Sequence, residues 1–179
     1  MRKVDHSISM LKANLYSLPL VIVLIVLLTG PFLLIWDKQQ LLSSFPIIYL
    51  NLEIFIPILI LGAVLHEMLH ALSFLILGRV SVENVKLGFQ WRSLTPYAHC
   101  KIPVKASMYR ISLLMPALVM GIIPWFIALI TGNGWLLVYA VIFTIVSGGD
   151  ILTIWIIRKA KKDQLVQDHP HNCGCWVFE

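Results

Sequence analysis

Leu15 to Trp36 reads LYSLPLVIVLIVLLTGPFLLIW and carries no charged side chain. As a helix this run measures about 33 Å, close to the thickness of a bilayer's hydrocarbon core. It is too long for the apolar segment of a secretory signal and lacks a small-x-small cleavage pattern before Asp37. It therefore reads as a retained helix, although Arg2, Lys3 and Lys12 precede it. Three more apolar stretches follow. Across all 179 residues 59% are apolar and 13% charged, with a mean hydropathy of +0.85. Soluble domains hold roughly half apolar and a quarter charged residues, so a soluble enzyme is excluded, and a disordered chain with it. The expected fold is all-α and integral to the membrane: four transmembrane helices at residues 15–36, 46–77, 108–130 and 135–157, forming a single membrane-embedded domain over 1–179. The lipid bilayer is its solvent and first partner.

The second stretch would measure about 48 Å as a straight helix, so it must tilt, project into water or break near Asn51, Glu53, Pro57 or Gly62. Pro116 and Pro124 predict a kink in the third. Basic residues set the orientation. Arg2, Lys3 and Lys12 precede the first span and Lys38 lies in the first loop; Arg79, Lys86, Arg92, Lys101, Lys105 and Arg110 cluster around the middle loop, and Arg158, Lys159, Lys161 and Lys162 follow the last span. All but Lys38 fall on one side of four crossings, which the positive-inside rule makes the cytoplasm, together with both termini. That accounts for the net charge of +5 without a nucleic acid partner. In the cytoplasmic loop, 78–107, the alternation of Val85, Leu87, Phe89 and Trp91 before the turn signal Thr95-Pro96, with Tyr97 and His99 beyond it, predicts a short β-hairpin. Its register slips at Glu83 to Val85, and it is expected to lie against the inner leaflet. An exposed edge of it could pair with an extended peptide. A cytoplasmic tail, 158–179, completes the chain.

Inside the second span stands His66-Glu67-Met68-Leu69-His70, a match to H-E-x-x-H. Helix positions four apart differ by about 40° around the axis, so both imidazoles face one side and can bind a single zinc ion, with Glu67 placed as general base toward a water. A shuffled chain of this composition would carry the pattern with a probability of about 0.4%. The plainer reading, two histidines bonded between helices, weakens in lipid, where an ionisable group near a helix centre costs about 2.5 to 3.5 kcal/mol on insertion scales.

A third ligand is needed, and Asp150, in Ser147-Gly148-Gly149-Asp150, is the only acid in the last two spans. Leu77 lies seven residues beyond His70 and Ile157 seven beyond Asp150, so both ligands sit about 10 Å from the cytoplasmic ends of their spans. The two glycines permit a close backbone approach or a local helix break. Zinc with two ionised carboxylates, Asp150 and Glu67, and neutral His66 and His70 sums to zero charge. Without a metal the two acids would repel or have to be protonated.

At these residues the chain resembles the small bacterial membrane proteins grouped as putative zincin peptidases, themselves similar to the site-2 protease class of intramembrane metalloproteases. The resemblance rests on His66-Glu67-Met68-Leu69-His70 followed by Ala71-Leu72, on Ser147-Gly148-Gly149-Asp150-Ile151 and on Asp168-His169-Pro170. It implies His66, His70 and Asp150 as zinc ligands, Glu67 as catalytic base and the bacterial cell membrane as location. Site-2 proteases usually supply the aspartate from an Asn-Pro-x-Pro…Leu-Asp-Gly context; here the context is Ser-Gly-Gly-Asp-Ile.

Two function classes follow. One is a zinc metallopeptidase hydrolysing peptide bonds of membrane protein or peptide substrates. The other is a non-catalytic metal-binding membrane protein, such as a transporter component or assembly factor. Glu53, about 20 Å along the helix from His66 and turned some 140° from its face, is expected at the outer interface. His169, His171, Cys173 and Cys175 could hold a metal, but a plain ordered tail is the preferred reading, and His99-Cys100 is read in the same way. Three cysteines are too few for a disulfide framework. Ser112 and Ser147 have no Lys or His at helical spacing, which speaks against a serine protease.

Overall fold

The computed structural model describes residues 2–46, 51–91, 95–169 and 172–179. Four helical stretches are long and apolar enough to cross a membrane: Leu11–Leu42, Leu52–Leu77, Ala106–Thr131 and Gly134–Ile156. Helix α1 (Met10–Leu42) starts at Ser9, whose hydroxyl accepts the Lys12 amide. Its regular course breaks where the apolar run ends. Asp37 adopts φ 62°, and its carboxylate caps the Gln39 and Gln40 amides at 2.7 and 3.0 Å, so a short second piece begins there as a separately capped helix. Large side chains along α1 stay uncovered, Leu34 being 89% exposed, as expected of a helix whose outer face meets lipid.

Helix α2 (Leu52–Leu72) runs on through a π-helical turn, Ser73–Leu77. Glu53 is exposed in its first turn, where a helix N-terminus favours an acid. Residues 47–50, which the sequence reading placed in the same helix, lie outside the described residues. The third span consists of α3 (Ala106–Pro116), a π-helical segment Ala117–Ile122 and α4 (Ile123–Thr131). The irregularity falls between the two prolines. Pro124 has no N–H for the Met120 carbonyl, so the hydrogen-bond ladder is re-registered there. The fourth span is α5 (Gly134–Val146) and α6 (Gly148–Ile156), divided at Ser147, directly before the Gly-Gly pair.

Two aromatic donors tie the first span to the third: the Trp36 indole donates to the Leu129 carbonyl and the Trp125 indole to the Leu28 carbonyl, both at 2.7 Å. With Phe32, Ala128 and Leu137 they make an apolar core at one end of the bundle. A second core at the other end joins Phe74, Tyr109, Leu113 and Ile157 to strand residues Val104, Val166 and Val177.

The fold is not all-α, which corrects the expectation from sequence. The hairpin is present as β2 (Val85–Gln90) and β3 (Thr95–Cys100), pairing Val85 with Cys100 and Leu87 with Ala98, and the slip in register is a 3-10 turn at Val82–Asn84. The hairpin runs beside α2. The Ala98 amide reaches Glu67, ten residues before the helical stretch ends at Leu77. Beyond it, β1 (Lys3–Ile8), β4 (Val104–Lys105), β5 (Leu165–Asp168) and β6 (Cys173–Phe178) form an antiparallel sheet in the order β1-β6-β5-β4. The two ends of the chain pair with each other, Lys3 opposite Phe178, so both lie at the same end of the bundle. Arg110 ties the turn that follows the last helix to α3 by donating to the carbonyls of Ile157 and Ala160 at 2.6 and 2.7 Å.

Candidate metal centre

His66 and His70 sit one turn apart on α2, both buried. Asp150 enters from the first turn of α6, directly after the division of the fourth span at Ser147. The three side chains converge. His66 Nε2 lies 3.2 Å from Asp150 Oδ2, His70 Nε2 3.4 Å from the same oxygen, and the two Nε2 atoms are 3.2 Å apart. Among the described residues this is the one group of three such side chains close enough to share an ion.

The spacing tests whether a metal fits. Zinc binds nitrogen and carboxylate oxygen at about 2.0–2.2 Å, which puts neighbouring donors of a tetrahedron about 3.3–3.6 Å apart. The triangle of 3.2, 3.2 and 3.4 Å is of that size. Its chemistry agrees. Two imidazole nitrogens and a carboxylate oxygen face one another, and the buried Asp150 Oδ2 has only those two nitrogens beside it, neither in good hydrogen-bond geometry. A single proton can bridge only one edge of such a triangle, whereas a divalent cation engages all three corners.

The tautomer of His70 is fixed from outside the triangle. Its Nδ1 is 2.9 Å from the Ser112 carbonyl, an acceptor, so Nδ1 carries the hydrogen and Nε2 presents its lone pair to the centre. The reason that carbonyl is available lies in the sequence. In a helix the Ser112 oxygen would accept from residue 116, and residue 116 is proline, with no N–H to give. Pro116 thus supplies a ligand-orienting acceptor in addition to the expected kink. The Ser112 hydroxyl donates to the His70 carbonyl at 3.3 Å, a second tie between the same two helices.

Glu67 points to the neighbouring side. Its Oε2 accepts the Ala98 amide at 2.7 Å, and the carboxylate lines a cavity of about 880 Å³ that also takes in His70, Asp150, Tyr97, His99 and Asp168. The base candidate and two of the three ligand candidates, His70 and Asp150, therefore open into one space between the helices, the hairpin and the C-terminal strands. Polar groups in such a cavity can hold water and an extended peptide backbone together.

The tail donors do not assemble into a metal site among the described residues. His169 Nδ1 accepts the Asn172 amide at 2.9 Å, Cys173 contacts the Thr153 hydroxyl at 3.3 Å, and Cys175 is buried in strand β6. His171 and Pro170 lie outside the described residues. His99 pairs with Asp168 at 3.3 Å, while the Cys100 thiol donates to the Ile102 carbonyl. The sequence reading did not find the Ala98 amide, the Ser112 carbonyl or the Tyr109 contact to Asp168. The first two are backbone atoms that almost any residue type could present, proline alone lacking the amide.

Residues 59–165 match the family of putative zincin peptidases. The chain belongs to this family. The matched segment contains His66, Glu67, His70 and Asp150, and membership implies a metallopeptidase that uses zinc. Comparison with the curated proteins and with the solved structures returns no match.

Proposed function

We propose that the chain is an intramembrane zinc metallopeptidase of the site-2 protease kind, hydrolysing peptide bonds of membrane protein or peptide substrates. The observation that carries the reading is the convergence of His66, His70 and Asp150 on one triangle of zinc dimensions, with Glu67 opening into the same cavity. His66, His70 and Asp150 would hold the ion. When bound, zinc supplies Lewis acidity toward the scissile carbonyl and brings the pKa of a water to about 7.

The remaining work belongs to the protein's own groups. Glu67, steadied at Oε2 by the Ala98 amide, takes the proton of the attacking water at Oε1 and gives it to the leaving nitrogen, so water is split between a new carboxyl and a new amine. The outer edge of β2, where Lys86, Leu87 and Phe89 are exposed, offers a strand on which an unwound substrate segment can pair. We place the protein in the bacterial cell membrane, with both termini and the hairpin connections cytoplasmic. Support comes from the paired terminal strands and from the basic residues gathered at that end. Lipid and peptide are the partners this reading calls for; nucleic acid has no role in it.

The test is metal analysis and cleavage by the detergent-purified chain and two variants. Glu67→Gln should keep one zinc per chain and lose cleavage by at least about a thousandfold, as expected of an essential base. Asp150→Ala should lower the zinc content. Wild-type protein that holds zinc yet cleaves no membrane peptide would leave the non-catalytic metal-binding class in its place.

A further inference from the structure

Asp168 ends β5, three residues beyond the segment matched to the family, and no step above uses it. It is nevertheless a point where three elements meet. Its Oδ1 accepts the Tyr109 hydroxyl from α3. Its Oδ2 accepts the Cys100 amide of β3 at 3.3 Å and lies 3.3 Å from His99 Nδ1. The carboxylate is largely removed from water, its side chain 19% exposed. Donors are needed for burial alone, so Tyr109 and His99 have an ordinary explanation. The amide contact has a further consequence.

Ala98 and Cys100 stand two apart on one strand, so their N–H groups point to the same edge of β3. Glu67 takes the first amide and Asp168 the second. Two carboxylates, one from the second span and one from the C-terminal sheet, thus hold alternate amides of a single strand edge. The seat of Glu67 depends on where β3 lies, and β3 is anchored two residues further on by Asp168.

We propose that Asp168 is a positioning residue of the peptidase reaction. By anchoring the Cys100 amide it sets β3 so that the Ala98 amide holds Glu67 in register with the ligand triad, which makes the C-terminal strands part of the active site. The proposal rests on the reading of Glu67 as the base.

The experiment uses the full chain in detergent with zinc, and compares wild type with Asp168→Ala, Asp168→Asn and Ala98→Pro. Three quantities are measured: zinc per chain, amide hydrogen exchange, and kcat and KM on a quenched-fluorescent peptide carrying one apolar helix of about 20 residues. Asp168→Ala should keep its zinc. Its β3 amides should exchange at least tenfold faster while those around His66 and His70 are unchanged. Its kcat should fall roughly ten- to a hundredfold, as small misplacements of catalytic groups do, with KM within twofold. Asp168→Asn, which keeps one acceptor oxygen, should lie between. Ala98→Pro removes the amide from Glu67 and spares the ladder, because that N–H faces away from β2. Adding Asp168→Ala to it should slow the reaction less than about twofold further, since both act through one bond.

Unchanged β3 exchange in Asp168→Ala overturns the anchor, whatever the activities. Faster exchange with wild-type kcat, additive losses in the double variant, or loss of zinc from both Asp168 variants overturns the positioning role. A wild-type chain that binds zinc and cleaves nothing overturns the peptidase reading and the reaction role together, while the exchange data still report whether the anchor exists.

Discussion

The plainest case of one residue deciding the chemistry of another is Pro116. A proline in a helix ordinarily costs about 3 kcal/mol or more because it removes a donor and crowds the carbonyl four residues back. Here that carbonyl, on Ser112, accepts from His70 instead, so the cost is offset by a partner for a buried imidazole. Pro116→Ala would restore an N–H that competes for the Ser112 oxygen. We expect helix content unchanged and zinc affinity lowered about ten- to a hundredfold, the usual effect of losing a group that orients a ligand, as measured by competition with a chromogenic chelator. Equal affinity would show that the Ser112 contact does not matter. The cysteines have the opposite character. Burial pushes the Cys175 thiol up to about 12, with Asp168 adding to the rise, and burial also raises Cys100. At pH 8 Cys175 should react with iodoacetamide at least about a hundredfold more slowly than a free thiol, and Cys100 should be slowed as well. The native state keeps the Cys175 proton that the unfolded chain releases, so its contribution to stability is complete below the ordinary thiol pKa near 9. It is lost as pH rises from there toward about 12, and thermal denaturation across that window should show a falling Tm.

At the scale of elements, the centre depends on how closely α2 meets the fourth span. Gly62 lies one turn before His66, and a Cβ there would stand 2.0 Å from Cζ of Phe143. Phe143 is itself buried, so its ring cannot give way. Gly62→Ala should cost about 1–3 kcal/mol by overpacking and move the two histidines away from Asp150. Lower Tm together with weaker zinc retention is the expected result; a variant matching wild type in both would show that the helices are free to separate there. The apolar runs and prolines made much of this level legible. The irregular stretch between Pro116 and Pro124 falls where proline removes donors from the ladder, and the breaks at Trp36 to Asp37 and before Gly148 fall at residues of low helix propensity. The hairpin was legible too, because alternation and a Thr-Pro turn are local signals. Its seat along α2 was not, since the bond that fixes it joins a side chain to a backbone amide 31 residues away.

The molecule as a whole is a bundle with lipid-facing sides and two capped ends. One end is closed by the indole bonds and the core around Phe32, the other by two sheets that carry the cavity. Because β1 pairs with β6, the termini share a side whatever that side is; the basic residues are the ground on which we propose that it is the cytoplasmic one. In a cysteine-free chain, Lys3→Cys and Glu179→Cys should resist a membrane-impermeant maleimide in intact cells, and Asn133→Cys should react; the reverse pattern would invert the orientation. The amino-acid sequence alone determined four helices long and apolar enough to cross a membrane, the paired histidines with their glutamate and the level along its own helix at which Asp150 could join them, since hydropathy and helical spacing act over neighbouring residues. Only the tertiary structure decided that the chain's two ends form one sheet and that backbone atoms of Ser112 and Ala98 orient His70 and Glu67. Pairing across nearly the whole chain leaves no periodic trace in strands this short, and every residue type carries the same carbonyl and, proline apart, the same amide.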